Sequence, residues 1–520
     1  MPENFKNMFR SPSFQGLLIL LALLAVSFGL MKPNLNSSTG AQNLEAPYHV
    51  LLTVNALNET PAKNHWYLPI VSLGKETDKN ISWGATIPAK NGNYVYTSFT
   101  PPGFLAPYIW FKIFRLEPTL ENLAYFNFTL GTLSTLILFL FLTSLLKFNG
   151  YDSSISVEGA LAGCAISIFS REALQSYGLI YWSQSLYQPL LILSLYLMFK
   201  YLTGETEKSR RPYAALILAA AFLGALTEWT GYIFNAGLVF LFWRNGQTVP
   251  ASKTLAAKLL AVTALACVAT VAHCSLAAGF KPTIVAFWGR FFTRSASAGN
   301  PANLLVGYAL SYGIFILTLL PVLAFFFFSS RQQPPNDRQK ITFLLFAAAC
   351  IPLLENVVML QHATQFSYDR LKFIFPAAIT LAFAFARFTP RWRLVLLAFL
   401  MLASVHGYKS YTANLRTYSA WTRAVKSNET LAGKIAEKTD IGCALFASSR
   451  HVRGYANLLF HRGIHEKKSP EETAALMANS NACASVYLES VIPFPDMQQY
   501  TKAVITYRDG STAVITPYSK

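Results

Sequence analysis

Apolar runs long enough to cross a bilayer recur from Leu17 to His406, and they restrict what this chain can fold into. Backbone in hydrocarbon must satisfy its polar groups within its own segment, so each run is expected as a helix in a membrane bundle. The runs are Leu17–Met31, Tyr125–Leu146, Ala160–Ser170, Leu186–Leu202, Tyr213–Thr227, Tyr232–Trp243, Leu255–Gly279, Leu304–Ser329, Ile341–Leu360, Phe373–Phe388 and Leu394–His406. They give about eleven crossings, the shorter ones extended by their flanks. The class is a polytopic α-helical membrane protein, and a content of 53% hydrophobic against 13% charged residues agrees with it.

The formal charge of +18 would suggest nucleic acid in a soluble protein. Here the basic residues fall in alternate short loops: Lys6 and Arg10, Lys147, Lys200 to Arg211, Arg244 to Lys258, Arg331 to Lys340, and Arg387 to Arg393. That alternation sets insertion, with the N-terminus in the cytoplasm and the C-terminus outside, which in a bacterial inner membrane is the periplasm. Leu17–Met31 then reads as a signal anchor. Nucleic acid is excluded as a partner and membrane lipid takes its place. Arg171, Lys281, Arg290, Arg294, Arg370 and Lys372 fall on the other side, where insertion does not ask for them.

Two regions are not membrane helix. Residues 32–114 form a long first periplasmic loop carrying Glu45, His49, His65 and Trp66, then Tyr94, Tyr96, Pro101, Pro102 and Gly103. Gly103–Phe114 is too short to span and reads as an interfacial helix. The chain thus divides into a membrane domain, 1–407, and a small C-terminal α/β periplasmic domain, 408–520. In the latter, Ile441–Ser448 and Ala484–Leu488 suit strands, Val452–Phe460 and Glu471–Ala478 suit helices, and Ala503–Ile515 suits a hairpin turning at Asp509 and Gly510. Cys443 and Cys483 lie at strand positions in this tail, and a disulfide between them is expected in an oxidising compartment.

Three features carry a family resemblance: Glu45 soon after the first span, the Tyr-rich segment with Pro101, Pro102 and Gly103 before the interfacial helix, and Ser170, Arg171, Glu172 and Ala173 at the end of the third span. With these the chain resembles the C-type glycosyltransferase superfamily, membrane enzymes that use polyprenyl-phosphate-linked sugars, and is similar to its protein-mannosyltransferase and aminoarabinose-transferase branch. The motifs cover roughly the first two hundred residues, and the remainder matches by topology. The family usually places an Asp, often beside a second acidic residue, where this chain has Asn43, Leu44 and Glu45.

The resemblance implies an inverting transfer from a polyprenyl-phosphate donor to an envelope glycan, lipid or protein acceptor. Such chemistry needs a base for the acceptor hydroxyl and cations for the departing phosphate. Glu45 is the expected base. His49, four residues on, either orients it, contacts sugar or is structural. His65 with its neighbouring aromatics suits sugar stacking or a membrane-interface belt. Arg171, the Arg290 and Arg294 pair, and Tyr368 with Asp369, Arg370 and Lys372 are candidates for the phosphate, the other reading being contact with lipid headgroups. Glu172 accompanies Arg171, and Glu228 is either an acceptor-binding carboxylate or a helix-turn carboxylate.

No Walker loop, zincin motif or serine elbow occurs. Glu45 and His49 alone make a poor metal site, so neither cofactor nor metal is expected. A noncatalytic scaffold or transporter is the reading from another class, disfavoured because the ionisable groups gather at one face instead of mid-membrane. A lipid-linked glycan ligase or polymerase is a further alternative.

Overall fold

The computed structural model describes residues 11–74, 86–244, 252–295, 299–319, 336–416, 419–439, 443, 445–447, 453–466, 485–494 and 497–518. Helix α1 (Pro12–Met31) begins where Ser11 accepts the Phe14 N–H at 3.2 Å and Pro12 occupies the first turn, where a missing N–H removes no bond. The first loop follows as α2 (Glu45–Glu59), an antiparallel ribbon of β1 (Thr86–Pro88) and β2 (Tyr94–Tyr96), and α3 (Pro102–Phe114), whose Ile109, Ile113 and Phe114 stay exposed as an interfacial helix requires.

The bundle continues with α4 (Leu120–Phe148), α5 (Ser153–Phe169), a short α6 (Arg171–Ser176), α7 (Ser183–Thr203), α8 (Glu207–Thr227), α9 (Trp229–Arg244), α10 (Ser252–Ala278) and the amphipathic α11 (Phe280–Arg294). Among the described residues, five helical stretches are long and apolar enough to cross a membrane: Pro12–Asn34, Leu120–Phe148, Ser252–Ala278, Asp337–Val358 and Pro390–Asn414. Two expected spans differ from a straight helix. Leu304–Ser329 begins as α12 (Pro301–Tyr312) and turns at Gly313, whose φ of 48° an L side chain rarely adopts. Ile341–Leu360 divides into α13 (Asp337–Cys350), α14 (Leu353–Val358) and α15 (Leu360–Gln365); the first break falls at Pro352, which has no N–H to continue the ladder, and the second at Met359, whose φ of -102° and ψ of 48° leave the helix. This broken stretch carries ionisable side chains that a continuous apolar helix could not hold.

A 3-10 turn (Ser367–Phe373), α16 (Ile374–Arg387) and α17 (Pro390–Asn414) complete the bundle. Its core gathers Leu138, Phe141, Leu142, Ala160, Ala378 and Ala382, and it packs closely where α5 has no side chain: a Cβ on Gly163 would lie 2.6 Å from the Ala378 carbonyl oxygen.

The tail's own elements start after α17, with α18 (Ser419–Lys438), β3 (Leu445–Ala447), α19 (Arg453–Phe460), β4 (Ile464–Glu466), β5 (Ser485–Phe494), β6 (Met497–Thr506) and β7 (Thr512–Ile515). The strands form one sheet in the order β4-β3-β5-β6-β7, parallel on both sides of β3 and antiparallel from β5 onward. The hairpin expected at Asp509 and Gly510 is present, with Gly510 at φ 83°. Buried Asn428 fixes α18 to β6, donating to the Gln498 carbonyl at 2.6 Å and accepting from the Tyr500 N–H at 2.8 Å. Cys443 is buried and disulfide-bonded. Its expected partner Cys483, and the helix expected at Glu471–Ala478, lie outside the described residues.

The tail is tied to the first loop. Gly40 and Arg416 pair as an antiparallel bridge, and the Trp421 indole donates to the Ser37 carbonyl at 3.1 Å. Close by, α17 crosses the α5–α6 junction at Gly407, where an added Cβ would sit 2.1 Å from the Phe169 carbonyl oxygen. Gly407→Val should therefore cost about 1–3 kcal/mol by overpacking. The check is the melting temperature in detergent against Gly29→Val, where a Cβ meets nothing within 4 Å. Equal melting temperatures would remove the crossing as a determinant of the fold.

Candidate functional site

Glu45 opens α2, and its carboxylate faces the tail. It accepts the N–H of Gly454 at 2.5 Å and that of Tyr455 at 3.4 Å, the first-turn donors of α19. A carboxylate at a helix N-terminus satisfies orphan N–H groups and complements the dipole. Gly454 is required for the approach, since a Cβ there would stand 2.8 Å from Glu45 Oε1. One turn on, His49 is buried, its ring 4.3 Å from Tyr96 and 5.5 Å from Trp182 between centroids. Burial, with the Arg290 charge added, pushes its imidazole down to about 3, so it is neutral at physiological pH. Trp182 then bridges to Phe99 at 5.1 Å and Tyr368 at 6.3 Å.

Beyond Trp182 lies a buried polar cluster built by the broken stretch α13–α15 and the turn after it. In a 3-10 turn, residues three apart share a face, so Asp369 and Lys372 point one way and Arg370 another. Asp369 pairs through Oδ2 with His362 Nδ1, and its Oδ1 accepts from Gln184 at 2.6 Å. Lys372 pairs with Glu355 and donates to Thr230 Oγ1 at 3.1 Å. Glu228, at the α8–α9 junction, accepts the Thr230 N–H at 2.5 Å and lies 3.4 Å from Gln184 Nε2. Burial raises the Glu228 carboxyl, with Lys372 opposing. Asp369 remains below the usual carboxylate range: burial works to raise it, but facing His362 and Lys372 outweigh burial.

The cluster borders a cavity of about 300 Å³. Glu228, Glu355 and His362 form one wall, while Arg294, in the last turn of α11, and Arg290, a turn before it, form another. The remainder is apolar, including Trp229, Phe287, Trp288 and Phe291. Arg290 donates to Ser98 Oγ at 2.6 Å, and the Arg294 guanidinium lies 4.8 Å from the Phe99 ring centroid. This arrangement suits an apolar chain ending in an anion.

A second cavity of about 640 Å³ lies on the other face of α15. Its lining is polar and includes Arg171, Arg370, Gln42, Asn303, Gln361 and Gln365. Arg370 donates to Ser311 Oγ at 2.9 Å and to the Ala363 carbonyl at 2.7 Å, and Gly307 leaves room for its guanidinium. An apolar groove of about 590 Å³ shares Arg171 and Leu310 with it and continues along α17 to His406.

No family model and no curated protein matches this sequence. Among solved structures, the chain is similar over nearly its whole length to ArnT from Cupriavidus metallidurans bound to undecaprenyl phosphate, at 12% identity and a TM-score of 0.61, covering 96% of this chain and 98% of that one. It is also similar to the archaeal oligosaccharyltransferase AglB from Archaeoglobus fulgidus in complex with an inhibitory peptide and a dolichol-phosphate, at 13% identity and a TM-score of 0.52, covering 97% and 74%. The fold is that of the C-type glycosyltransferases. At such identities the likeness is one of fold.

On this C-type fold the expected site residues divide among separate places. Arg290 and Arg294 share the apolar cavity, whereas Arg171 and Arg370 share the polar one, so the cations do not form one group. Glu172 lines neither cavity and accepts from Ser176 at 2.5 Å and Ser311 at 2.7 Å, steadying the serine that holds Arg370. His65 is buried inside the first loop, with Nε2 2.5 Å from Thr60 Oγ1 and Nδ1 3.3 Å from both Asn91 and Asn93 amides. Glu45 lines none of these cavities. Among the described residues no three His, Cys, Asp or Glu side chains group as metal ligands. Sequence reasoning missed His362, Glu355, Gln184 and Trp182. The available signal was Glu355 inside an apolar run with His362 just past its end, since ionisable groups there are expensive to keep.

The Glu45 geometry is testable. Replacing Glu45 with Gln removes the charge at the α19 N-terminus and should weaken tail docking by about 0.5–2 kcal/mol. Limited proteolysis should then release the tail faster than in the wild type, and an unchanged cleavage rate would show that the contact does not hold it.

Proposed function

We propose that this protein is an integral membrane glycosyltransferase that moves a sugar, with inversion, from a polyprenyl-phosphate donor to an acceptor on the first-loop face. In a bacterial inner membrane that face is the periplasm. The observation that carries the reading is the cavity beside α11. Its aromatic walls suit isoprenoid units, Arg290 and Arg294 sit where a phosphate would end, and buried carboxylates stand beside them to hold sugar hydroxyls. The similar ArnT structure has undecaprenyl phosphate bound, and the similar AglB structure a dolichol-phosphate, which supports a lipid phosphate as the ligand of this fold.

Catalysis needs the phosphate's developing charge to be met by fixed cations. Arginine does this with paired N–H groups, and a site walled by aromatics strengthens each bond by excluding water. The polar cavity, with Arg171 and Arg370, suits an anionic group of the acceptor, whose reacting hydroxyl has to reach the donor sugar in the cavity beside α11. Glu228, whose carboxyl burial raises against the opposing Lys372 charge, can accept from a sugar hydroxyl.

Arg290→Gln and Arg294→Gln should each weaken binding of undecaprenyl phosphate by roughly tenfold to a hundredfold, as loss of one charged hydrogen bond implies. Arg211→Gln, at an exposed site near the start of α8, should bind as the wild type does. Arg171→Gln and Arg370→Gln should raise the acceptor KM and leave undecaprenyl phosphate affinity within about threefold. Equal affinity in all five variants would return the arginines to headgroup contacts.

A further inference from the structure

The donor reading above leaves one atom unaccounted for. The His362 residue is 2% exposed and lines the cavity, its Nδ1 is paired with Asp369, and its buried Nε2 has no hydrogen-bond partner among the described residues. Asp369, fully buried, is itself held by Gln184 at 2.6 Å. With the Nδ1–H donating to that carboxylate, the lone pair stands on Nε2. The ring cannot swing away, since it packs on Phe366 at 4.5 Å and Phe99 at 5.8 Å between centroids. A buried, fixed, unpartnered nitrogen costs stability, and a ligand hydroxyl at the cavity would satisfy it.

We propose that His362 is the general base of the transfer, with Asp369 as its positioning residue. As the acceptor oxygen attacks the anomeric carbon, its proton passes to His362 Nε2. The new C–O bond forms as the bond from that carbon to the phosphate oxygen breaks, and the electron pair leaves with the polyprenyl phosphate. Arg290 and Arg294 receive that charge, and the imidazolium is balanced by Asp369. The proton later returns to water. Glu45, the base expected from the sequence, has both oxygens on backbone N–H groups and lines none of the cavities.

The groups facing His362 set its titration. Arg294 of α11 and Lys372 of the turn disfavour a second cation, whereas Asp369 favours it; Arg290, Glu228 and Glu355 line the same cavity. Burial, followed by Arg294, pushes the imidazole down to about 4 even with Asp369 opposing. The base is therefore neutral and competent near neutrality, and activity is lost as pH falls and His362 takes its proton. Removing the Asp369 charge lowers the imidazole further, so the acid limb moves to lower pH while the rate falls.

The test uses the full chain in lipid nanodiscs, with undecaprenyl phosphate as the binding probe and undecaprenyl-phosphate-linked glucose, mannose and aminoarabinose as donors over extracted envelope lipids. His362→Gln should bind undecaprenyl phosphate within about threefold of wild type and lose transfer by roughly a hundredfold to ten-thousandfold. Asp369→Asn should fold, keep part of the rate and shift the acid limb of kcat downward. Should His362→Gln not fold, the wild-type and Asp369→Asn profiles decide the matter alone. Near-native transfer by His362→Gln, or an acid limb that Asp369→Asn leaves in place, overturns the base. A wild type that binds no undecaprenyl phosphate instead overturns the donor reading, and the base with it.

Discussion

Everything around the buried polar cluster of the bundle depends on pairing charge that has been taken out of water. Lys372 is buried, and its ammonium is tolerable only because Glu355 pairs with it and Thr230 Oγ1 accepts a further hydrogen bond. Asp369 and Glu228 stand close by, three carboxylates against Lys372 and the two arginines of α11. Removing one partner from such a set leaves an uncompensated buried charge, which costs far more than the pair contributes. The cluster therefore specifies the geometry around it. Glu355 must come from a helix interrupted at Pro352, Lys372 from a tight turn, and Glu228 from the junction of two helices. Irregular backbone at the end of the bundle is the means by which these side chains reach one place.

The same irregularity makes two environments from one short stretch. Across α15, His362 faces an apolar cavity with two arginines, while Gln361, Thr364 and Gln365 face a polar one with two others. A lipid phosphate and a hydrophilic acceptor would differ in just this respect. One helix of six residues thus separates greasy from wet surroundings and contributes side chains to both.

The membrane class, the helix Pro102–Phe114, the tail hairpin and most helix positions were legible in the sequence, because apolar periodicity and turn residues act locally. The division of the cations was not. Arg370 and Lys372 are two apart and read as one basic group, yet a turn of three residues per repeat sends them to opposite sides. Glu45 was legible as a carboxylate placed for a purpose, while its partners, 409 and 410 residues later, were beyond any local signal. His362 was hidden by its neighbours, since an apolar run that ends in a polar segment does not reveal which nitrogen will be left without a bond.

The bond between Glu45 and the Gly454 N–H has a temporal side. The first loop leaves the ribosome early, but the helix end it caps comes 409 residues on. At about 5–20 residues per second, that wait is roughly twenty to eighty seconds, during which every intervening helix enters the membrane. For that interval the Glu45 carboxylate stands without the N–H groups that it accepts in the folded protein.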